Sequence, residues 1–224
     1  MIVTKKLEKS FSSGDTVTRV LKGIDFSAQS GEFLSVMGRS GAGKSTFLYQ
    51  ISLLDDPTGG EIIIDGRDTH TMSAYEKTQF RLINFGYVFQ DYALIPELSA
   101  IENVALPLLM QGKTTKEAYI LAHEALARLK LAHRIRSLPS NMSGGEQQRV
   151  SIARAVVHKP KILFADEPTA NLDNDSSGVI MGIFKELHAE GQTIIMVTHE
   201  LEYAQMAQKI ITIDDGQITS IRSN

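Results

Sequence analysis

Cysteine is absent from the 224-residue chain, which excludes a disulfide framework and thiolate metal ligands and permits a reducing compartment. Long apolar runs are missing too. The longest span a few residues, against the roughly 20 needed to cross a bilayer, and the opening MIVTKKLEKS lacks the apolar core of a signal peptide. A cytoplasmic chain is expected. Neither charge sign dominates: 23 Lys and Arg against 26 Asp and Glu leave a formal net charge of -3, which offers no general attraction to nucleic acid or anionic lipid. No internal repeat, low-complexity tract or Pro/Gly/Ser-rich linker occurs. With 42% hydrophobic and 22% charged residues, the composition is that of a folded protein of one large domain or two small ones.

Short, nearly continuous apolar runs at 33–37, 162–165, 194–197 and 210–213 have the pattern of strands covered on both faces by helices, and predict a parallel sheet. Between them lie helical periods, clearest where Ala118, Leu121, Ala122, Ala125, Leu126 and Leu129 form one apolar stripe. The N-terminal stretch differs. Residues 2–7 and 20–26 alternate apolar with polar on either side of the turn signal SSGDT, as an antiparallel pair would. Residues 92–142 carry helix-like patterns and no convincing strand. The expected fold class is therefore α/β, with a mainly parallel sheet, an N-terminal antiparallel β layer and a helical insertion. One domain over 1–224 is expected, with the β layer and core in 1–91 and 160–224 and a helical subdomain in 92–159.

The run Gly38-Arg39-Ser40-Gly41-Ala42-Gly43-Lys44-Ser45-Thr46 fits GxxxxGKS/T, follows an apolar strand and precedes the helix-like TFLYQISLL, which is the context that phosphate loop requires. Its glycines let successive N–H groups turn toward phosphate oxygens, and the following helix brings its positive end there. Lys44 reaches the β- and γ-phosphates, and the Ser45 hydroxyl can ligate Mg2+. The alternative, a Gly-rich turn that binds nothing, is disfavoured by the match to the whole pattern in its strand–loop–helix setting.

Lys161-Ile162-Leu163-Phe164-Ala165-Asp166-Glu167 is an apolar strand ending in two acids, and ligands of open α/β sheets bind at the carboxyl ends of strands. Asp166 can hold Mg2+, which keeps several waters and takes one or two carboxylates. Glu167 is placed to polarise an attacking water. Alone, such a pair reads as a solvated loop start; beside a phosphate loop it reads as the second half of a nucleotide site.

With Asn141-Met142-Ser143-Gly144-Gly145-Glu146-Gln147-Gln148-Arg149 the chain resembles the ATP-binding subunits of ABC transporters, whose signature reads LSGGQ or LSGGE. Gln90 in YVFQDYALIP matches the Q-loop, Asn171-Leu172-Asp173 the D-loop, and His199 in VTHE the switch histidine. The resemblance covers essentially the whole chain, with six motifs in order. FQDYALIPELSAIENVALPLL and ADEPTANLD look most like the group of lipoprotein-releasing, macrolide-export, antimicrobial-peptide-export and cell-division ATPases.

The resemblance implies a P-loop NTPase core with a RecA-like sheet, ATP and Mg2+ as cofactors, and hydrolysis by a head-to-tail dimer. In that dimer Ser143, Gly144, Gly145 and Glu146 of one copy close over nucleotide bound by Lys44 of the other, with Asp173 in the neighbouring D-loop. It further implies that Phe11 stacks on adenine, that Gln90 ligates Mg2+, and that His199 holds Glu167 and the water in line. It implies a transmembrane permease as partner, and a place on the inner face of the cell membrane. Two departures are mild: Phe11 lacks the hydroxyl of the usual Tyr, and Met142 replaces Leu at similar volume. From the residues themselves, Ser143 is a natural N-cap and the glycines bare a helix start.

His70, His123, His133, His158 and His188 lack metal-ligand spacing and read as surface or packing residues. A chromosome-maintenance ATPase would need a long coiled coil between Lys44 and Asp166, and no sustained heptads occur there. A nucleotide sensor without turnover would be favoured by loss of Glu167 or His199, and both are present.

Overall fold

The computed structural model describes residues 1–14 and 16–224; Asp15, within the SSGDT turn signal, lies outside them. In chain order the elements are β1 (Ile2–Ser13), β2 (Thr16–Ala28), β3 (Phe33–Met37), α1 (Lys44–Ile51), β4 (Gly59–Ile64), β5 (Arg67–Asp68), α2 (Ala74–Asn84), β6 (Phe85–Val88), α3 (Ala100–Met110) and α4 (Thr115–Arg128). They continue with α5 (Gly144–Val156), β7 (Ile162–Asp166), α6 (Asn174–Ala189), β8 (Thr193–Val197), α7 (Leu201–Ala204), β9 (Lys209–Asp214) and β10 (Gln217–Ser223). The chain divides into two compact units, Met1–Arg81 with Gly191–Asn224, and Leu82–Glu190.

The first unit holds an antiparallel sheet ordered β2-β1-β4-β5, the N-terminal layer expected from the alternation at 2–7 and 20–26. Ile2, Thr4, Leu7 and Lys9 of β1 point into it. Lys6 has a positive φ of 45° at a register irregularity, so the inward period is reset there. A second set of strands, β10-β9-β3-β8, has β3 parallel to both neighbours and β10 antiparallel at its edge. Every residue of β8 and all but the last of β3 is buried, which is why both read as unbroken apolar runs. The two layers meet over α1, where Phe47 packs edge-to-face on Phe26 at 5.1 Å between ring centroids.

In the second unit β6 and β7 pair in parallel, Phe85 opposite Ile162 through Val88 opposite Ala165. Phe85 and Phe164 pack edge-to-face at 5.0 Å. Helix α5 lies so close to β6 that a Cβ on Gly86 would stand 2.1 Å from the Ala155 carbonyl oxygen. Residues 92–142 form α3, α4 and short 3-10 turns and contain no strand, matching the helical insertion read from the sequence. Ala118, Ala122 and Leu126 of the expected stripe are the buried face of α4. Helices α3, α4 and α5 each begin with a capping box, Ser99 with Glu102, Thr114 with Glu117 and Ser143 with Glu146, so their entry points are fixed by local hydrogen bonds. Among the described residues no helix is long and apolar enough to cross a membrane.

Candidate functional site

The first unit carries the phosphate loop. Strand β3 ends at Met37, and Gly38 follows at φ 154°, where a Cβ would lie 2.1 Å from the carbonyl oxygen of Ile213. No other residue fits. Gly43, at φ 99°, is the N-cap of α1 and brings no side-chain acceptor to the first-turn N–H groups. Those donors and the positive end of the helix are thereby left for a ligand. Lys44 is buried, and its Nζ donates to the carbonyls of Gly38 at 3.0 Å and Arg39 at 3.1 Å, which lays the ammonium across the loop. Ala42 is buried and accepts from the Gly216 N–H at 3.1 Å, while Ser40 and Gly41 are exposed and Ser45 and Thr46 half-buried.

Two further residues of this unit were expected at the site. Phe11 stands on β1 with 48% of its surface exposed. His199 is exposed just beyond β8; the Thr198 N–H donates to Val36 at 3.1 Å and its hydroxyl accepts from the Glu200 N–H at 3.1 Å, fixing the backbone on both sides of the histidine.

The second unit carries the acids. Asp166 closes β7 and is 4% exposed. Glu167 follows at φ 47°, a left-handed conformation that non-glycine residues adopt seldom and mostly where their surroundings enforce it. Its carbonyl accepts from the Ala170 N–H at 3.1 Å, and the next carbonyl, of Pro168, accepts from Gln148 of α5 at 2.7 Å. Among the described residues no three His, Cys, Asp or Glu side chains gather to hold a metal ion.

Gln90 is exposed after β6, and the loop beyond it is held from three sides. The Asn171 side-chain amide donates to the Gln90 carbonyl at 3.2 Å and to the Asp91 carboxylate at 3.1 Å. Tyr92 and Ala93 both have positive φ, and their carbonyls accept from the Arg154 guanidinium of α5 at 2.9 and 2.6 Å. Asn103 brackets Ile95, accepting from its N–H at 2.8 Å and donating to its carbonyl at 3.1 Å. Burial pulls the Arg154 guanidinium below its ordinary value.

The signature segment is a capped helix start, as read from the sequence. The Ser143 hydroxyl accepts from the Glu146 N–H at 3.3 Å, and the Glu146 carboxylate accepts from the Ser143 N–H at 2.9 Å and from Arg134 at 2.8 Å. Burial alone would raise the Glu146 carboxyl, but the Ser143 N–H and the guanidinium hold it below its ordinary range. Glu146 is thus committed within its own chain, a structural task beside the nucleotide contact expected of it. Gly144 and Gly145 also have local reasons to be bare: a Cβ would meet the Tyr92 hydroxyl at 2.8 Å and the Ser176 hydroxyl at 2.9 Å. Asp173 caps α6, and the Ser176 N–H and hydroxyl, each at 2.8 Å, hold its carboxyl below the ordinary value.

Two residues shape the site without being anticipated: Arg154 and Arg134. Nothing in the local sequence distinguishes them from surface cations. The capping box was legible in the spacing of Ser143 and Glu146.

A lysine laid over a glycine loop between a buried strand and an uncapped helix, with a second buried strand ending in an acid, defines a phosphate-binding-loop nucleotide hydrolase. The chain belongs to the ABC transporter family, whose model matches residues 21–170, and is an ATPase cassette of that family. It is 45% identical, over 99% of both chains, to an uncharacterized ABC transporter ATP-binding protein of Methanocaldococcus jannaschii. It is 41% identical to the lipoprotein-releasing system ATP-binding protein LolD of Colwellia psychrerythraea, over 98% of this chain and 85% of that one. It is 42% identical, over its whole length, to the macrolide export ATP-binding/permease protein MacB of Agrobacterium fabrum, of which it spans only 35%. The ATP-binding cassette MJ0796, solved as a dimer in a post-hydrolysis state bound to ADP and phosphate, superposes with a TM-score of 0.93 at 38% identity, covering 100% of this chain and 98% of that one.

Proposed function

We propose that the chain is the ATP-hydrolysing subunit of a membrane complex that exports or extracts a lipophilic or peptide-like substrate through a separately encoded permease. The observation that carries this reading is the Lys44 ammonium, laid on the carbonyls of Gly38 and Arg39 beside the uncapped start of α1. A buried cation next to bare helix N–H groups is suited to a triphosphate. Relatives named for macrolide export and for lipoprotein release support the membrane role and the substrate class.

In this reading the loop from Gly38 to Thr46 cradles the phosphates and Phe11 stacks on adenine. Ser45, Asp166 and Gln90 are the residues that would hold Mg2+, a hydroxyl, a carboxylate and an amide oxygen suiting a hard cation that keeps several of its waters. When bound, that ion offsets charge on the β- and γ-phosphates. Glu167 takes a proton from the attacking water, and His199 holds water and phosphate in line. The hydroxyl of Ser143 and the N–H groups of Gly144 and Gly145, with Glu146 behind them and Asp173 nearby, close over the nucleotide of a second copy, head to tail. The segment 92–159 acts as the helical subdomain of a cassette whose core is 1–91 and 160–224. The chain works on the cytoplasmic face of the membrane, held there by its permease.

Lys44→Ala should abolish nucleotide binding, whereas Glu167→Gln should keep binding and stop turnover. Fluorescent-nucleotide titration and phosphate release separate the two. Wild-type turnover in Glu167→Gln would remove the base assignment.

A further inference from the structure

Lys9 is a lysine on β1, only 8% exposed, in a protein whose other cations of the β layer face solvent or sit at its rim. Its Nζ bonds both oxygens of Asp55, at 2.8 and 2.7 Å, and the carbonyl of Asp56 at 2.6 Å. The same ammonium lies 5.1 Å from the centroid of the Phe11 ring, two residues along the strand and beyond a register irregularity between Lys9 and Ser10. Asp55 is itself fixed, by the Gln50 amide at 2.9 Å and by donation from the Asp56 N–H at 2.8 Å. Gln50 belongs to α1, the helix that opens with Lys44. The turn carrying these acids is pinned to β1 by the Thr58 N–H on the Glu8 carbonyl at 2.9 Å and the Ser10 N–H on the Thr58 hydroxyl at 3.1 Å. A continuous chain of hydrogen bonds and one ring contact therefore runs from the phosphate-loop helix to an aromatic ring that is half exposed.

We infer that Lys9 is a positioning residue for the nucleotide base, fixing the Phe11 ring and lending it the field of a cation on the face away from the base. The inference rests on the reading of Phe11 as the ring that stacks on adenine. An exposed phenyl ring on a strand end would otherwise sample several rotamers, and each one excluded in advance lowers the entropy lost when a base stacks. A cation held against one face also draws electron density from the ring, which favours stacking by an electron-rich purine on the other face. Phe11 has no hydroxyl to anchor it, so the anchoring falls to its neighbour. Because Asp55 answers both to Lys9 and to Gln50, the ring is held in a fixed relation to α1 while the lysine stem remains buried.

Calorimetric titration with MgADP and with magnesium pyrophosphate tests this, since the two share the diphosphate and differ in the nucleoside. Phe11→Ala should weaken ADP and leave pyrophosphate within about twofold. Lys9→Met, which keeps the buried stem and removes the charge, should weaken ADP about two- to fivefold, the range of an exposed cation–ring contact, with pyrophosphate unchanged. Added to Phe11→Ala, it should do nothing more. Asp55→Asn, which leaves the lysine but removes its anchor, should give the same base-dependent loss and serves if the methionine variant does not fold. Equal weakening of ADP and pyrophosphate would make the network a mere support for α1 and overturn the proposal. So would an effect of Lys9→Met that persists without the Phe11 ring, or no effect on ADP. An undiminished ADP affinity in Phe11→Ala removes the stacking role itself, and is read from that variant alone.

Discussion

The side-chain amide of Asn171 donates to the backbone carbonyl of Gln90 at 3.2 Å, so the turn that follows the acidic strand β7 is tied directly to the loop that follows β6. Arg154 holds the carbonyls of Tyr92 and Ala93 in that loop from α5, the helix that begins at the signature serine. Three motifs far apart in sequence thus share one backbone segment. Two consecutive residues at positive φ, Tyr92 and Ala93, persist there because the surrounding donors over-determine them.

The fixed backbone makes the side chains of this loop separable from its fold. Ile95 is 36% exposed, while its N–H and carbonyl are both held by Asn103; Leu94 beside it is half-buried. With Tyr92, Pro96 and Leu98 these make an apolar loop which, in the role proposed above, would dock a short cytoplasmic helix of the permease. Ile95→Glu should leave the basal ATPase and melting temperature of the purified chain near normal and abolish stimulation by the reconstituted permease. A parallel loss of activity and melting temperature would mark Ile95 as packing, and unchanged stimulation would place the contact elsewhere.

Assembly should follow nucleotide. If Ser143, Gly144 and Gly145 complete the site of a second copy, the bound triphosphate supplies much of the interface. The Glu167→Gln chain should run as a dimer by light scattering with ATP and mainly as a monomer without it. A mass unmoved by ATP well above its Kd would contradict the sandwich for the isolated subunit.

His158 gives stability a pH dependence of known sign. Its Nε2 donates to the Phe85 carbonyl at 2.9 Å, and its Nδ1 is buried without a hydrogen-bond partner. Burial lowers its pKa and outweighs the opposing pull of the Phe85 carbonyl, so the folded protein binds the proton less readily than the unfolded chain. The stability it contributes is complete above the ordinary histidine value of about 6.5 and is lost as pH falls through the lower folded value. Between about pH 7.5 and 5.5 the wild-type melting temperature should fall more steeply than that of His158→Gln. Identical slopes would refute the assignment.

Much of this protein was legible in its sequence because its chemistry is local. The phosphate loop needs glycines whose φ or lack of Cβ is indispensable, as at Gly38, followed by a lysine and a hydroxyl at fixed spacing. The parallel strands announce themselves because burial on both faces leaves no polar position in 194–197. The cap at Ser143 is a spacing of three. Less visible were β4, which opens on two glycines, β5, which is two residues long, and β10, which carries several polar residues; they become strands by pairing with β1, β4 and β9 respectively.

What only the tertiary structure decided is where individual charges are used. Lys9 and Arg154 look like any surface cation in the sequence, since a buried cation is distinguished by what the fold brings to it: Asp55 and an aromatic ring for one, two left-handed carbonyls for the other. Glu146, which the signature presents as a nucleotide contact, is engaged by Arg134 and by its own helix cap. Spacing along the chain records which groups share a turn or a strand face. Which side chains are desolvated together depends on contacts between residues distant in sequence, and those the local pattern does not encode.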